Sequence, residues 1–492
     1  MSVKLFTLGD SISQGFISGA AAEPSIAYST LIANSMSIAN YNAVIWPNGY
    51  KLKYDLEAVL RALQSVYGNN FSRKDIFTHC PGTFLKTIDK VFDKSEKYFE
   101  SGLGKVSEPI PGAPQFYHNI SIEGMNIANA WLVTPRLAET IINQDSNSKK
   151  DNDFKSASCP FYRNAYRTLN PTASNLHMDK SALSWLKFIA ESEGIENIVL
   201  WLGSNNVLST IFDLKLNWTD GSGSITKTPQ VERQNFNIWD IRDFRKEYEI
   251  LLDRIILSLS RNKISKCNIF VGNIPLITIT PALKGFGKEI TIKNISLNNS
   301  SNALYFEYYT LYPLPESLAR KEKRYLTFDQ AIEIDKTIVE YNKIIKELIN
   351  KKGTNGVTFH LVDLSACLNK LAYKRNFRQP SYKLPDYFTI NHINVNTLFY
   401  DVDENGRVAK GGLFGLDGVH PSAIGQGLIA YEFLKVMRNH GITANDLDWD
   451  AIIKSDTLYS DPIRIIRSLN EIKEQDLVKL FLSALLKIKD LS

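Results

Sequence analysis

Apolar runs of strand length recur along the chain at Val3–Leu8, Tyr117–Ile122, Asn197–Leu202, Cys267–Asn273 and Thr358–Asp363. Each is bounded by a Gly, Asp or Asn and stands next to stretches whose apolar positions repeat at helical spacing. The helical patterns cover Ala27–Ser37, Tyr54–Tyr67, Phe84–Ser101, Met125–Ile142, Lys180–Ser192, Asp240–Arg261, Asp329–Lys351 and Ser422–Asn439. Asn197–Leu202 is apolar at nearly every position, as a parallel strand buried on both faces requires. Short strands alternating with helices predict a parallel sheet covered by helices on both sides, because each crossover is right-handed.

The punctuation between these elements is uneven. Pro109, Pro111, Gly112 and Pro114 mark a loop, and the polar stretch Gln144 to Ser158 reads as an exposed excursion. Tyr305, Phe306, Tyr308, Tyr309 and Tyr312 crowd an aromatic insertion, which would either line an acyl or sugar pocket or simply pack on the body. Residues 370 to 412 look irregular apart from a hairpin at Asp403-Glu-Asn405-Gly406. Beyond Gly441 lies a tail with a helical pattern at Ser468 to Lys489, placed to pack on the body or to mediate self-association. The predicted layout is therefore one domain over 1–440 and a helical extension over 441–492.

Composition narrows the function classes. The 492 residues carry a net charge of +5 without a long basic run, which gives no reason to propose nucleic acid or an anionic membrane as partner. No stretch approaches the roughly 20 apolar residues of a transmembrane helix. The first strand begins at Val3, leaving no room for a signal peptide, so the expectation is a cytoplasmic protein, or a secreted one whose leader has been removed. Cys80, Cys159, Cys267 and Cys367 are too far apart for a zinc site or a disulfide framework. The Asn-x-Ser/Thr triplets at Asn119, Asn217 and Asn294 read as chance, since Asn119 falls on a predicted buried strand.

Candidate chemistry gathers at strand ends. Gly9-Asp10-Ser11 breaks the first strand where a helix can begin, placing a hydroxyl in the crevice outside the carboxyl end of the sheet. Near the far end of the chain, Gly415-Leu-Asp417-Gly-Val-His420-Pro421 sets an acid three residues before a base, ahead of the last long helix. A serine is a poor nucleophile until a base takes its proton, and a carboxylate behind the imidazole fixes the tautomer and offsets the charge gained. His79, His118, His177, His360, His392 and His440 lack an Asp three residues earlier within a Gly-rich loop. Gly425-Gln-Gly427-Leu-Ile-Ala430 imitates a dinucleotide fingerprint but lies inside a predicted helix, and Asp401-x-Asp403-x-Asn405-Gly406 imitates a calcium loop but has Gly412 where a bidentate Glu is required. No Gly-x-Ser-x-Gly elbow occurs, which argues against the α/β-hydrolase fold.

Gly9-Asp10-Ser11, the lone Gly124 after the second strand, Gly203-Ser204-Asn205 after the third and Asp417-Gly-Val-His420-Pro421 before the last helix together resemble the SGNH, or GDSL, hydrolase superfamily of serine esterases and lipases. The resemblance implies a three-layer α/β/α sandwich of the flavodoxin-like kind, with a central parallel sheet of about five strands and, here, long insertions. It implies Ser11 as nucleophile, His420 as base and then acid, Asp417 as its orienting residue, and an oxyanion hole from the amides of Ser11 and Gly124 and the side chain of Asn205. It implies ester hydrolysis through an acyl-serine, with no metal or organic cofactor and a small-molecule, lipid or carbohydrate ester as substrate. Carbohydrate O-deacetylation, acyl transfer and ligand binding on a disused hydrolase fold remain open alternatives. One departure is Asn206, where the family commonly has Asp.

Overall fold

The computed structural model describes residues 2–69, 81–145, 156–223, 230–233, 235–297, 300–354, 356–383 and 396–471. Cys80, His79 and His392, most of the 144–158 excursion and most of the 468–489 helical pattern lie outside the described residues.

Five parallel strands form the central sheet: β1 (Phe6–Gly9), β2 (Asn119–Ser121), β3 (Asn197–Trp201), β4 (Cys267–Gly272) and β5 (Val357–Val362). Their spatial order is β5-β4-β3-β1-β2, a doubly wound order in which the winding reverses between β1 and β3. Alternate side chains face opposite layers. Phe6, Leu8, Ile120, Ile198, Leu200, Ile269 and Val271 enter one apolar cluster, while Leu5, Val199, Trp201, Phe270 and Val362 enter another. The register sets Gly9 beside Ser121 on one side and Trp201 on the other, so three strands end level and release their following turns at one place.

Seven helices position the site: α1 (Ser11–Gln14), α2 (Tyr28–Ser35), α3 (Pro160–Leu169), α4 (Ala182–Ser192), α5 (Ile241–Ser258), α6 (Phe328–Lys352) and α7 (Ala423–Asn439). Side-chain caps start most of them. Asp10, Ser181, Asp240 and Ser422 cap α1, α4, α5 and α7, and Thr327 with Gln330 forms a complete capping box on α6. Helices α4, α5 and α6 send Leu186, Leu252 and Ile338 into the first cluster, and α2 and α7 send Ile32 and Phe433 into the second. The sheet is thus covered on both faces.

One expectation needs correction. Met125–Ile142 is two helices, Asn129–Leu132 and Pro135–Gln144, because Pro135 lacks the amide a continuous helix needs and instead opens the second one. The aromatic insertion is a long antiparallel hairpin, Leu283–Leu297 paired with Ser300–Leu311, to which Leu326–Thr327 adds a third strand. Its aromatics pack on the body: Tyr305 and Tyr309 are buried, and Tyr312 stacks on Phe399 with centroids 3.9 Å apart. A helix, Leu364–Leu371, leads from β5 into the 370–412 stretch. The Asn405-Gly406 turn joins short strands Asp401–Val402 and Val408–Lys410, as expected, with Gly406 at φ +74°. Gly425 and Gly427 lie inside α7, and Asn119 is buried, donating to Ser13 O at 2.7 Å and Ser29 Oγ at 2.9 Å.

Buried polar clusters tie the insertion to the core. Asp335 on α6 accepts from Thr278 Oγ1 at 2.6 Å and Tyr305 Oη at 2.7 Å, and it pairs with Arg375 at 2.9 Å. Beyond α7, Leu447, Trp449 and Ile452 join the second cluster, so this part of the tail packs on the body. Among the described residues no helix is long and apolar enough to cross a membrane.

Candidate active site

Gly9 ends β1 because nothing larger fits: a Cβ there would lie 2.1 Å from Ser13 Oγ. Asp10 then caps α1, its Oδ1 accepting from Ile12 N at 3.1 Å, and Ser11 is the first helical residue. Ser11 is 4% exposed, and among the described residues its hydroxyl makes no hydrogen bond. The α1 turn is braced from the β2 side. Gln14 and Asn164 exchange side-chain hydrogen bonds at 2.9 and 2.8 Å, and the Glu123 amide donates to Gln14 Oε1 at 3.2 Å.

Gly124 follows with φ +80°, a backbone state that disfavours any side chain, and an added Cβ would stand 3.3 Å from the Phe161 ring. Among the described residues its amide donates to no acceptor. Glu123, just before it, is 8% exposed and pairs with Lys53 at 2.5 Å.

After β3, Gly203 takes φ +125° and opens the short turn Ser204–Asn206. The Asn205 amide is already engaged, donating to Asp10 Oδ2 at 3.2 Å and to Met125 O at 3.1 Å. The expected free oxyanion donor is therefore absent from this state. Asn206 is fully buried, and its Oδ1 accepts from Ile127 N at 3.2 Å. An Asp could make that same bond, so the departure at 206 leaves this support in place, while its Nδ2 has no partner among the described residues.

Asp417 and His420 meet at the tip of one loop. His420 Nδ1 donates to Asp417 Oδ2 at 2.8 Å, and Asp417 Oδ1 accepts from the amides of Val419 and His420, both at 2.8 Å. That loop lies on the segment behind α1. The Gly19 amide donates to Asp417 Oδ2, Leu416 N donates to Ser18 Oγ at 3.1 Å, and the Phe16 and His420 rings are 5.8 Å apart. Gln426, on α7, donates to Ile12 O at 3.0 Å and accepts from Tyr28 N at 3.0 Å, tying the helix after His420 to α1 and α2. Ser11 and His420 are thus brought to one end of the sheet without a hydrogen bond between them in this state. Catalytic hydrogen bonds commonly close only when substrate is bound.

The electrostatics suit a base. Burial alone would depress His420, but the Asp417 carboxylate outweighs it and, with Glu123 and Asp10, raises the imidazole above its ordinary 6.5. Burial would lift Asp417, yet His420 and the loop amides hold it below 3.8. Asp10 is pushed up to about 7 by burial, against the bond from Ile12 and the attraction of His420.

Sequence reasoning missed Gln14, Glu123, Asn164 and Gln426. No motif marks them, because each works through a partner far away in the chain. Of the remaining histidines, His118 accepts from Asn42 N at 2.9 Å and His360 bonds Asn268 Oδ1 at 3.2 Å, both away from this loop. Among the described residues no group of acidic, His and Cys side chains is arranged to hold a metal ion. No family model matches the chain, and no curated protein matches it.

Proposed function

We propose that this protein is a serine hydrolase of carboxylic esters, built as a three-layer α/β/α sandwich of the SGNH type. The observation that carries the reading is the Asp417–His420 pair docked on residues 16–19, directly behind the helix that Ser11 begins. A carboxylate on Nδ1 leaves Nε2 as the atom that can accept a proton.

In the proposed reaction Ser11 Oγ attacks the ester carbonyl while His420 Nε2 takes its proton. The tetrahedral oxyanion forms beside the unpartnered Gly124 amide and the Ser11 amide. Collapse expels the alcohol, which leaves with the proton from His420, and an acyl-serine remains. Water then attacks the acyl carbon, gives its proton to His420, and the acid departs as Ser11 is reprotonated. Asn205 joins the oxyanion hole only by releasing Asp10 or Met125 O. Each such donor is worth about 10²–10³ in turnover in hydrolases that use them.

Hydrolysis of p-nitrophenyl esters from acetyl to lauroyl, by the wild type and by Ser11→Ala, tests the proposal. Turnover abolished in Ser11→Ala supports it, and the acyl-length profile separates an acetylesterase from a lipase. An intact wild type that hydrolyses none of them, with any alcohol or water as acceptor, leaves a ligand-binding protein instead.

A further inference from the structure

The segment that follows α7 reaches back to the loop carrying His420. Residues 412–422 close on themselves: Ser422 N donates to Leu413 O at 3.0 Å, Phe414 bridges Pro421 in antiparallel fashion, and Gly415 N donates to His420 O at 2.8 Å. Asp417 and His420 are at the tip, Gly412 and Ser422 at the base. Ser422 Oγ donates to Gly412 O at 2.7 Å and accepts from Gly425 N at 3.2 Å. The Ser422 hydroxyl thereby joins both sides of the base to the first turn of α7.

One more amide of that first turn is held from outside. Ile424 N donates to Oδ2 of Asp456 at 3.1 Å, and the other carboxylate oxygen accepts from Tyr459 N at 3.2 Å. Asp456 is 2% exposed. Its approach is fixed by the helix Trp449–Ser455, since the Asp456 amide donates to Ile452 O at 3.1 Å and Trp449 packs so closely on α7 that a Cβ on Gly427 would lie 2.7 Å from its ring. A carboxylate on the first-turn amides of a helix is favourably placed against their partial positive charge.

We propose that Asp456 is a positioning residue for His420, acting through the base of the 412–422 loop. The proposal rests on the hydrolase reading for what His420 does, but not for where Asp456 acts. Asp456 touches neither substrate nor the reacting atoms. It fixes the angle at which the loop leaves α7, and with it the direction of the imidazole; displacements of about 1 Å at a reacting group cost on the order of a hundredfold in rate.

The test uses the full chain with Asp456→Ala and Asp456→Asn, the second keeping one acceptor oxygen in case the first does not fold. Two readouts are taken: the downfield proton resonance of the His420 Nδ1–H bound to Asp417, and kcat and KM on p-nitrophenyl acetate. The expected result is a broadened or lost resonance in Asp456→Ala, partial retention in Asp456→Asn, and kcat lowered about tenfold or more with KM within about twofold. A resonance as sharp as in the wild type, in folded variants with wild-type kcat, overturns the proposal. A resonance that responds while the wild type hydrolyses no ester sinks the hydrolase reading and leaves the positioning role standing.

Discussion

His420 carries opposing demands in a single ring. The Asp417 carboxylate that would prepare it as a base in the proposed reaction also makes it hold a proton more tightly than a free histidine. Since only the neutral ring can accept the Ser11 proton, hydrolysis is expected to fall as pH drops through a midpoint at or above 6.5, checked by kcat/KM against pH. In Asp417→Asn the burial that depresses the ring remains while the attraction is gone, so that midpoint should move to lower pH. His420→Ala is expected to cost about three orders of magnitude or more in kcat, and Asp417→Asn less. At Gly124 the positive φ and the nearby Phe161 make Gly124→Ala costly by about 1–2 kcal/mol in stability, and the loss in turnover should exceed what that destabilisation explains. The meeting of Asp417 and His420 was legible in the sequence because a spacing of three residues in a Gly-rich loop lets the two side chains reach each other. The engagement of Asn205 by Asp10 was not, since the letters of a chain do not say which of its partners an amide has met.

Between elements, side-chain pairs from distant segments set the geometry. Gln14 and Asn164 exchange two hydrogen bonds between α1 and α3, both buried. Gln14→Ala strips Asn164 and the Glu123 amide of their partner, and denaturant unfolding should show a loss of about 1–3 kcal/mol per stranded group. Arg375 against Asp335 is a stronger case, because removing the cation leaves a buried carboxylate uncompensated. Arg375→Met is expected to cost about 3–5 kcal/mol in the same measurement. All five central strands were legible from apolar runs; β1 to β4 are buried along nearly their whole length, which leaves little freedom of composition, whereas β5 is buried only at its two ends. The hairpin Leu283–Leu311 escaped notice for the converse reason. Its first strand alternates Lys284, Lys288, Glu289 and Lys293 with Gly285 and Gly287, and only pairing with a second strand and packing on α6 reveal it. The break at Pro135 was legible in principle, but the apolar spacing of 125–142 ran through it.

For the molecule as a whole, the site's ionisable groups tie stability and activity to pH in opposite directions. His420, raised above 6.5 in the fold, adds stability that is present at lower pH and lost as pH rises through its folded value. Asp10, lifted from 3.8 to about 7, adds stability that is likewise lost as pH climbs over that interval. Asp417, held below 3.8, adds stability that is present above that value and lost as pH falls through its folded one. These three groups together are expected to stabilise the fold most at about pH 4 and progressively less as pH rises toward about 7, while hydrolysis rises over the same interval; thermal melts and initial rates over the same buffers check the divergence.

The level ends of β1, β2 and β3 explain why residues so distant in the chain share one location, and the switch between β1 and β3 explains why it is there. The central claim is that Ser11 is the nucleophile that His420 activates. It is tested most directly by incubating the protein with a fluorophosphonate and locating the adduct by peptide mass spectrometry. One phosphonyl group on Ser11, formed orders of magnitude more slowly in His420→Ala, is the expected result. An unlabelled wild type, or a label on another residue that persists in Ser11→Ala, would contradict it.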